Sequence, residues 1–223
     1  LAKSYAIPLP SQEVLANIMD KRCQYQRAEE AGVPIPRTIY PTRAEDLEPL
    51  RNGHWTYPCL LKPALSHRWI RAYSRGEKLL VAKSYDELLA GYHDARQRNL
   101  DVFVQEVIPG RDDELYSLYF YANERGDLLG VGVGRKLRQF PINIGNGTLR
   151  ESVSAPRIVE LGTRLIQALG FHGVGNVEFK RDPRDGEFKL MALNARTALG
   201  LEVVIAGGVS LPYLAYRHLI GHP

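Results

Sequence analysis

Two runs of residues alternate apolar with polar or small side chains, and each doubles back at a polar turn. Residues 114–122 and 128–138 flank Asn123-Glu124-Arg125-Gly126, and residues 174–180 and 187–194 flank Asp182-Pro183-Arg184-Asp185-Gly186. Such pairs fold as antiparallel hairpins. They argue against a doubly wound parallel sheet, in which strands and helices alternate one by one. Ahead of them, residues 57–62 form an apolar strand ending at Pro63, and residues 79–82 form another. Ser84-x-x-Glu87 is a capping box that opens a helix running to about Arg98. Residues 102–107 then read as a strand closed by Pro109-Gly110. The chain therefore reads as α+β: a strand–helix–strand unit, then two long hairpins with helices beside them.

The remaining punctuation fills in the order. Ser11 caps a first helical stretch, and residues 20–31 continue helically until Gly32 and the prolines at 34 and 36 stop them. Residues 38–40 suggest a short strand, 46–50 a short helix, 64–76 a polar loop and 141–147 a glycine-containing loop. Pro156 starts a helix that ends at Gly170, and Ser210 caps the last one. The first ten residues read as the tail of an earlier element, and both ends suggest a piece of a longer chain. The expected division is a tail over 1–19, one subdomain over 20–105 and a second over 106–223.

Charge and cysteines narrow the classes. The 29 basic and 25 acidic residues leave a net charge of +4, which suits an anionic ligand. Nucleic-acid binding asks for a denser basic stripe than the single run Arg135-Lys136-Leu137-Arg138, so no nucleic-acid partner is expected. No apolar run nears the roughly 18 residues of a membrane helix. Cys23 and Cys59 lack metal-like spacing and are too few for a disulfide scaffold, which points to a reducing, cytoplasmic setting.

Four constellations can carry chemistry. Lys62 ends an apolar strand beside a polar loop, where an ammonium can meet a phosphate or simply snorkel to the surface. Lys21 alone is an ordinary helix-surface lysine. The strand Phe103-Val-Gln105-Glu106-Val-Ile108 ends in Pro-Gly, which leaves backbone groups able to read an adenine edge, and Glu114 beyond it can accept ribose hydroxyls. With the last turn centred on Arg184, residue 178 falls opposite 190, and Glu178, Ala192 and Asn194 share one face. Glu178 and Asn194 can then both offer oxygen to Mg²⁺, with Arg196 near a phosphate; a solvated polar face is the plainer explanation. Strand alternation puts Lys136 and Arg138 on one side and Arg135 on the other, as a solvated edge or as a phosphate site.

Taken in order, these segments resemble the ATP-grasp superfamily. The resemblance rests on Asp20-Lys21, Gly32-Val-Pro-Ile-Pro-Arg-Thr38, Tyr57-Pro-Cys-Leu-Leu-Lys62-Pro63, Gln105-Glu-Val-Ile-Pro-Gly110, Gly175-Asn-Val-Glu178-Phe and Leu193-Asn194-Ala-Arg196. Glu114-Leu-Tyr-Ser117, Gly134-Arg-Lys-Leu-Arg-Gln139, Gly145-x-Gly147-Thr148 and Glu151-Ser152 are similar to the carboxylate–amine ligase branch. The resemblance implies two α+β subdomains enclosing ATP. Lys21, Lys62 and Lys136 lie at the phosphates. Gln105, Glu106 and Ile108 lie at the base, with the backbone of the last two reading adenine, and Glu114 takes the ribose. Glu178 and Asn194, with one more carboxylate, hold Mg²⁺. Arg135 and Arg196 stabilise charge as a small-molecule carboxylate becomes an acyl phosphate and an amine displaces phosphate.

Three departures from the family pattern stand out. Ala192 occupies the place of a Glu that the family uses as a metal ligand, and Ala195 replaces a proline that only constrains the backbone. The phosphate loop is expected within 64–76, which holds a single glycine, Gly76, with Ser66, His67 and Arg68 where the loop should be. His67 is expected to contact phosphate at most. The N-terminal α/β domain usual in the family has no counterpart in these residues. The expectations are therefore a ligase core, a nucleotide-binding module without catalysis or, third, an interaction domain of the same fold.

Overall fold

The structure is a computed structural model that describes residues 6–53, 55–73, 78–142 and 145–222. Helices α1 (Gln12–Met19) and α2 (Lys21–Glu30) lead into a four-stranded antiparallel sheet. Its strands are β1 (Thr38–Ile39), β2 (Cys59–Pro63), β3 (Leu80–Ala82) and β4 (Val102–Glu106), in the order β1-β4-β2-β3. Helices α3 (Ser66–Tyr73) and α4 (Tyr85–Gln97) belong to the same unit. A five-stranded antiparallel sheet follows, made of β5 (Leu115–Ala122), β6 (Leu128–Phe140), β7 (Asn146–Val153), β8 (Gly173–Arg181) and β9 (Phe188–Asn194) in the order β7-β6-β5-β8-β9. Helices α5 (Pro156–Ala168), α6 (Glu202–Ala206) and α7 (Leu211–Leu219) accompany it.

The caps follow the chemistry of their residues. The Ser11 hydroxyl accepts from the Val14 amide at 3.2 Å, and the Ser84 hydroxyl from the Glu87 amide at 3.2 Å. Gly32 and Gly170 take positive φ just past α2 and α5, as left-handed C-terminal caps require. Ser210 stands at the start of α7 without a side-chain cap bond.

Alternation sorts the first sheet. Cys59, Leu61, Val102 and Val104 pack with Trp69 of α3 and Leu88 and Tyr92 of α4, closing one core. Leu60, Lys62, Phe103 and Gln105 lie on the opposite face by the same alternation and register. In the second sheet, Leu118, Phe120, Val133, Val177 and Phe179 pack under Ile158, Leu161 and Leu165 of α5, together with Tyr25 and Ala28 of α2. The other face carries Tyr119, Tyr121 and Val174, partly roofed by α6 and α7 through Leu201, Val204 and Leu211. Gly132 is what admits Val204 there, since a Cβ at 132 would collide with its methyl groups.

Several expectations need correction. Residues 66–73 are helical, not a polar loop, because Trp69 turns inward and stacks with Tyr73 at 4.2 Å. The end of that segment, 74–77, lies outside the described residues, as do residues 143 and 144 of the glycine-containing loop. Residues 12–19 form α1, whose Ile18 is buried in the core of the second sheet.

Candidate functional site

The site begins where α2 meets the end of β2. Asp20 opens α2 by accepting from the Arg22 amide at 2.9 Å, and the Lys21 amide donates to the Ala64 carbonyl at 2.9 Å. One turn later, Gln24 and Tyr25 are both buried. The Gln24 amide grips the main chain of Leu193, donating to its carbonyl at 3.0 Å and accepting from its N–H at 3.1 Å. Tyr25 Oη donates to the Met191 carbonyl at 2.5 Å. Helix α2 is thus bonded to β9 on both sides of Ala192.

Lys62 projects toward this seam from β2, a central strand. Its Nζ donates to Tyr25 Oη at 2.8 Å and to Gln105 Oε1 at 2.9 Å, and the residue is only 7% exposed. Burial pushes its ammonium down to about 8, against the opposing pull of Glu178. Burial also lowers Lys21, the field of Lys62 lowers it further, and Glu178 again opposes. Lys136, whose Nζ donates to Gln139 Oε1 at 3.0 Å, is lowered by burial and supported by Glu178. The field of Glu178 thus reaches lysines on three separate elements.

Register explains the convergence. Glu178 pairs with Ser117 on β5 and with Ala192 on β9, while Ser117 pairs with Gly134, two residues before Lys136. Asn176 pairs with Asn194, and Lys136 with Arg150. Glu178, Asn176, Ala192, Asn194, Lys136 and Arg150 accordingly share one face. The expected pairing of 178 with 190 is wrong by two residues. An irregularity between Glu178 and Phe179 leaves Met191 as the extra residue, so Phe179 pairs with Leu190 and Glu178 with Ala192. A similar irregularity after Lys136 turns Arg138 away: it is exposed, and Gln139 takes the place beside Lys136.

The two expected catalytic arginines do not join the cluster. Arg135 lies on the face that carries Tyr116, donates to the Asp113 carbonyl at 2.7 Å and sits 3.5 Å from the Glu151 carboxylate. Arg196 is exposed past the end of β9 and donates to the Thr197 carbonyl at 3.1 Å.

The segment leaving β4 is held from both sides. The Glu106 amide donates to the Arg37 carbonyl at 3.0 Å, and its carboxylate accepts from the Arg37 amide and the Arg184 guanidinium, each at 2.9 Å. Lys180 Nζ donates to the carbonyls of Ile108 at 2.9 Å and Gly110 at 3.0 Å. Glu114, at the entrance to β5, has a buried Oε2 with no hydrogen-bond partner. Arg150 and Asn176 likewise each have one buried, unpartnered polar atom.

Sequence reasoning missed Gln24, Tyr25, Arg150, Asn176 and Lys180. The spacing of Lys21 and Tyr25, one helical turn apart, was a usable signal. The others depend on register and tertiary contact.

A family model described as ATP-grasp in the biosynthetic pathway with Ter operon matches residues 121–223. The chain is 26% identical to a D-aspartate ligase of Enterococcus faecium (strain Aus0004) over 95% of its own length and 52% of that protein. It therefore spans about half of that curated relative. Among solved structures it is similar to a biotin carboxylase–β-γ-ATP complex from Campylobacter jejuni. That match has a TM-score of 0.76 at 19% identity, covering 96% of this chain and 49% of that one. It is also similar to a D-alanine–D-alanine ligase from Bacillus anthracis complexed with ATP. There the TM-score is 0.68 at 16% identity, covering 96% and 69% of the two chains.

Proposed function

The chain has the ATP-grasp fold with its likenesses in the carboxylate–amine ligase branch, and on that premise we propose that it is the ATP-binding core of an ATP-dependent ligase. The observation that carries this is a pair of buried lysines, Lys62 bonded to Tyr25 and Gln105 and Lys136 bonded to Gln139 on the face of Glu178, with the field of Glu178 reaching both and Lys21 as well. Buried ammonium groups sharing one carboxylate hold uncompensated positive charge, and a polyphosphate is the ligand that balances it. The Glu106 carbonyl and the Ile108 N–H supply the acceptor and donor for adenine. The orphaned Glu114 oxygen supplies an acceptor for ribose hydroxyls.

In the reaction, a carboxylate oxygen of a small acid attacks the γ-phosphorus and ADP leaves. An amine nitrogen then attacks the acyl carbon, the phosphate leaves and the nitrogen gives up its proton. The lysines hold the phosphoryl charge during transfer. Among arginines, Arg150 lies on the Lys136 face and Arg135 does not.

Magnesium belongs to this family's chemistry. Glu178 and Asn194 would offer an ion one carboxylate and one amide oxygen from a shared face, a sparse ligand set for a hard cation. A bridged pair of ions lacks its second carboxylate, because Ala192 stands opposite Glu178. Among the described residues, no group of three acidic, cysteine or histidine side chains is placed to hold a metal. When bound, the ion supplies extra neutralisation of phosphate charge.

Ala192 also supports a second reading, a nucleotide-binding module that does not turn over. Two measurements separate the possibilities. ATP should bind and raise the melting temperature, and Lys62→Ala should abolish the rise; an unaltered shift removes Lys62 from the site. Ala192→Glu should raise ATP hydrolysis by about tenfold or more under the ligase reading, whereas an unchanged rate favours the module.

A further inference from the structure

Counting charge on the cleft face leads beyond the nucleotide reading, on which this inference rests. Four cations gather there. Lys62 lies against Tyr25 and Gln105, Lys136 against Gln139, Lys21 one helical turn before Tyr25, and Arg150 opposite Lys136 in the register. The field of Glu178 reaches Lys21, Lys62 and Lys136, and Lys78 adds positive field at Lys21 and Lys136. Against them stand Glu178, Asp112, bonded through its Oδ1 to Gln139, and Glu202, whose field meets those of Glu178 and Arg150 at Tyr119. The position across the ladder from Glu178 is a methyl group, Ala192. One Arg150 guanidinium nitrogen is buried without a partner, so part of this positive charge is unspent inside the protein.

Metal and lysine do the same electrostatic work on a phosphate, and each makes the other less necessary. A divalent ion bound by one carboxylate and one amide adds its charge to a face that is already cationic. Its binding is opposed by the neighbouring ammonium groups. Free triphosphate, two charges more negative than its magnesium complex, matches this face better. We propose that the cleft binds the nucleotide polyphosphate as the metal-free anion, with Lys21, Lys62, Lys136 and Arg150 in the role that magnesium plays where a second carboxylate is present. Ala192 is then the residue that sets the metal requirement: a carboxylate there faces Glu178 at cross-strand distance, and like charges so placed call for a cation between them.

The test is direct calorimetric binding of ATP to the chain, once in excess EDTA and once in excess magnesium, repeated with Ala192→Glu. The expected result is a dissociation constant in EDTA within about threefold of that in magnesium for the unaltered chain. In Ala192→Glu, magnesium should tighten binding by about tenfold or more, a change of about 1.4 kcal/mol. Tightening of that size by magnesium in the unaltered chain overturns the inference and leaves the nucleotide site standing. Absence of ATP binding under both conditions overturns the nucleotide site as well. A circular dichroism spectrum matching that of the unaltered chain shows that Ala192→Glu has folded.

Discussion

Replacing Lys62 with methionine tests the energetics of the site without any ligand. The ammonium is almost wholly buried and titrates at about 8, against 10.5 for a lysine in water. At about 1.4 kcal/mol for each pH unit, that gap corresponds to about 3 kcal/mol of stability forgone at neutral pH. The direction follows from where the protons are. Below pH 8 both folded and unfolded chains hold the proton, and the full penalty applies. Between about 8 and 10.5 the unfolded chain binds more protons than the folded one, so stability rises with pH. Above 10.5 neither binds it and the penalty is gone. Lys62→Met has no such proton, so the difference in stability, variant minus unaltered, should fall by about 3 kcal/mol between pH 7 and pH 10.5. The lost bonds to Tyr25 and Gln105 shift this difference by a constant and do not alter its slope. Urea unfolding of both proteins across this range gives the quantity directly. Parallel stability curves would refute the claim that Lys62 is held charged at a cost. Magnesium and nucleotide are left out, because a bound anion would raise the lysine toward its ordinary value and a bound cation would lower it further.

Two further substitutions probe what holds the site in place. Gln24→Leu removes both bonds to the buried main chain of Leu193 and should destabilise the fold by about 2–4 kcal/mol in chemical unfolding; a loss under about 1 kcal/mol would show that the clamp is dispensable. Gly173 has a φ of +103°, and a Cβ there would meet the Pro8 carbonyl. Gly173→Ala should therefore lower stability by about 2 kcal/mol or more while ATP affinity is kept, and a melting temperature equal to that of the unaltered chain would contradict the strain.

Most of the architecture could be read from local chemistry. Caps at Ser11 and Ser84, the prolines after Gly32, Pro156 and the two polar turns all act within a few residues of where they stand. Helix α3 escaped because its evidence is one buried face, Trp69 and its neighbours, inside a segment rich in charge. The site was legible as a list of residues and illegible as an arrangement. Strand alternation predicts faces only while pairing stays regular, and an irregularity in β9 and others in β6 moved Glu178 to face Ala192 and turned Arg138 outward. Lys62 was visible as a strand-end lysine, but its burial depends on Tyr25, which lies 37 positions earlier in the chain. Arg135 sat within a stretch typical of the ligase branch, yet the pleat sends it to the Asp113 side of the sheet.

The bonds from α2 to β9 fall on the carbonyl of Met191 and on the N–H and carbonyl of Leu193. None involves a side chain of β9, and none involves residue 192 itself. The strand is therefore aligned by its peptide groups, which every non-proline residue possesses, and the side chain at 192 takes no part in these bonds. Such a position can exchange a carboxylate for a methyl group, or regain it, in one substitution and with little disturbance to folding. If the proposed role of residue 192 holds, metal dependence is a trait that selection or design can set without renegotiating the scaffold.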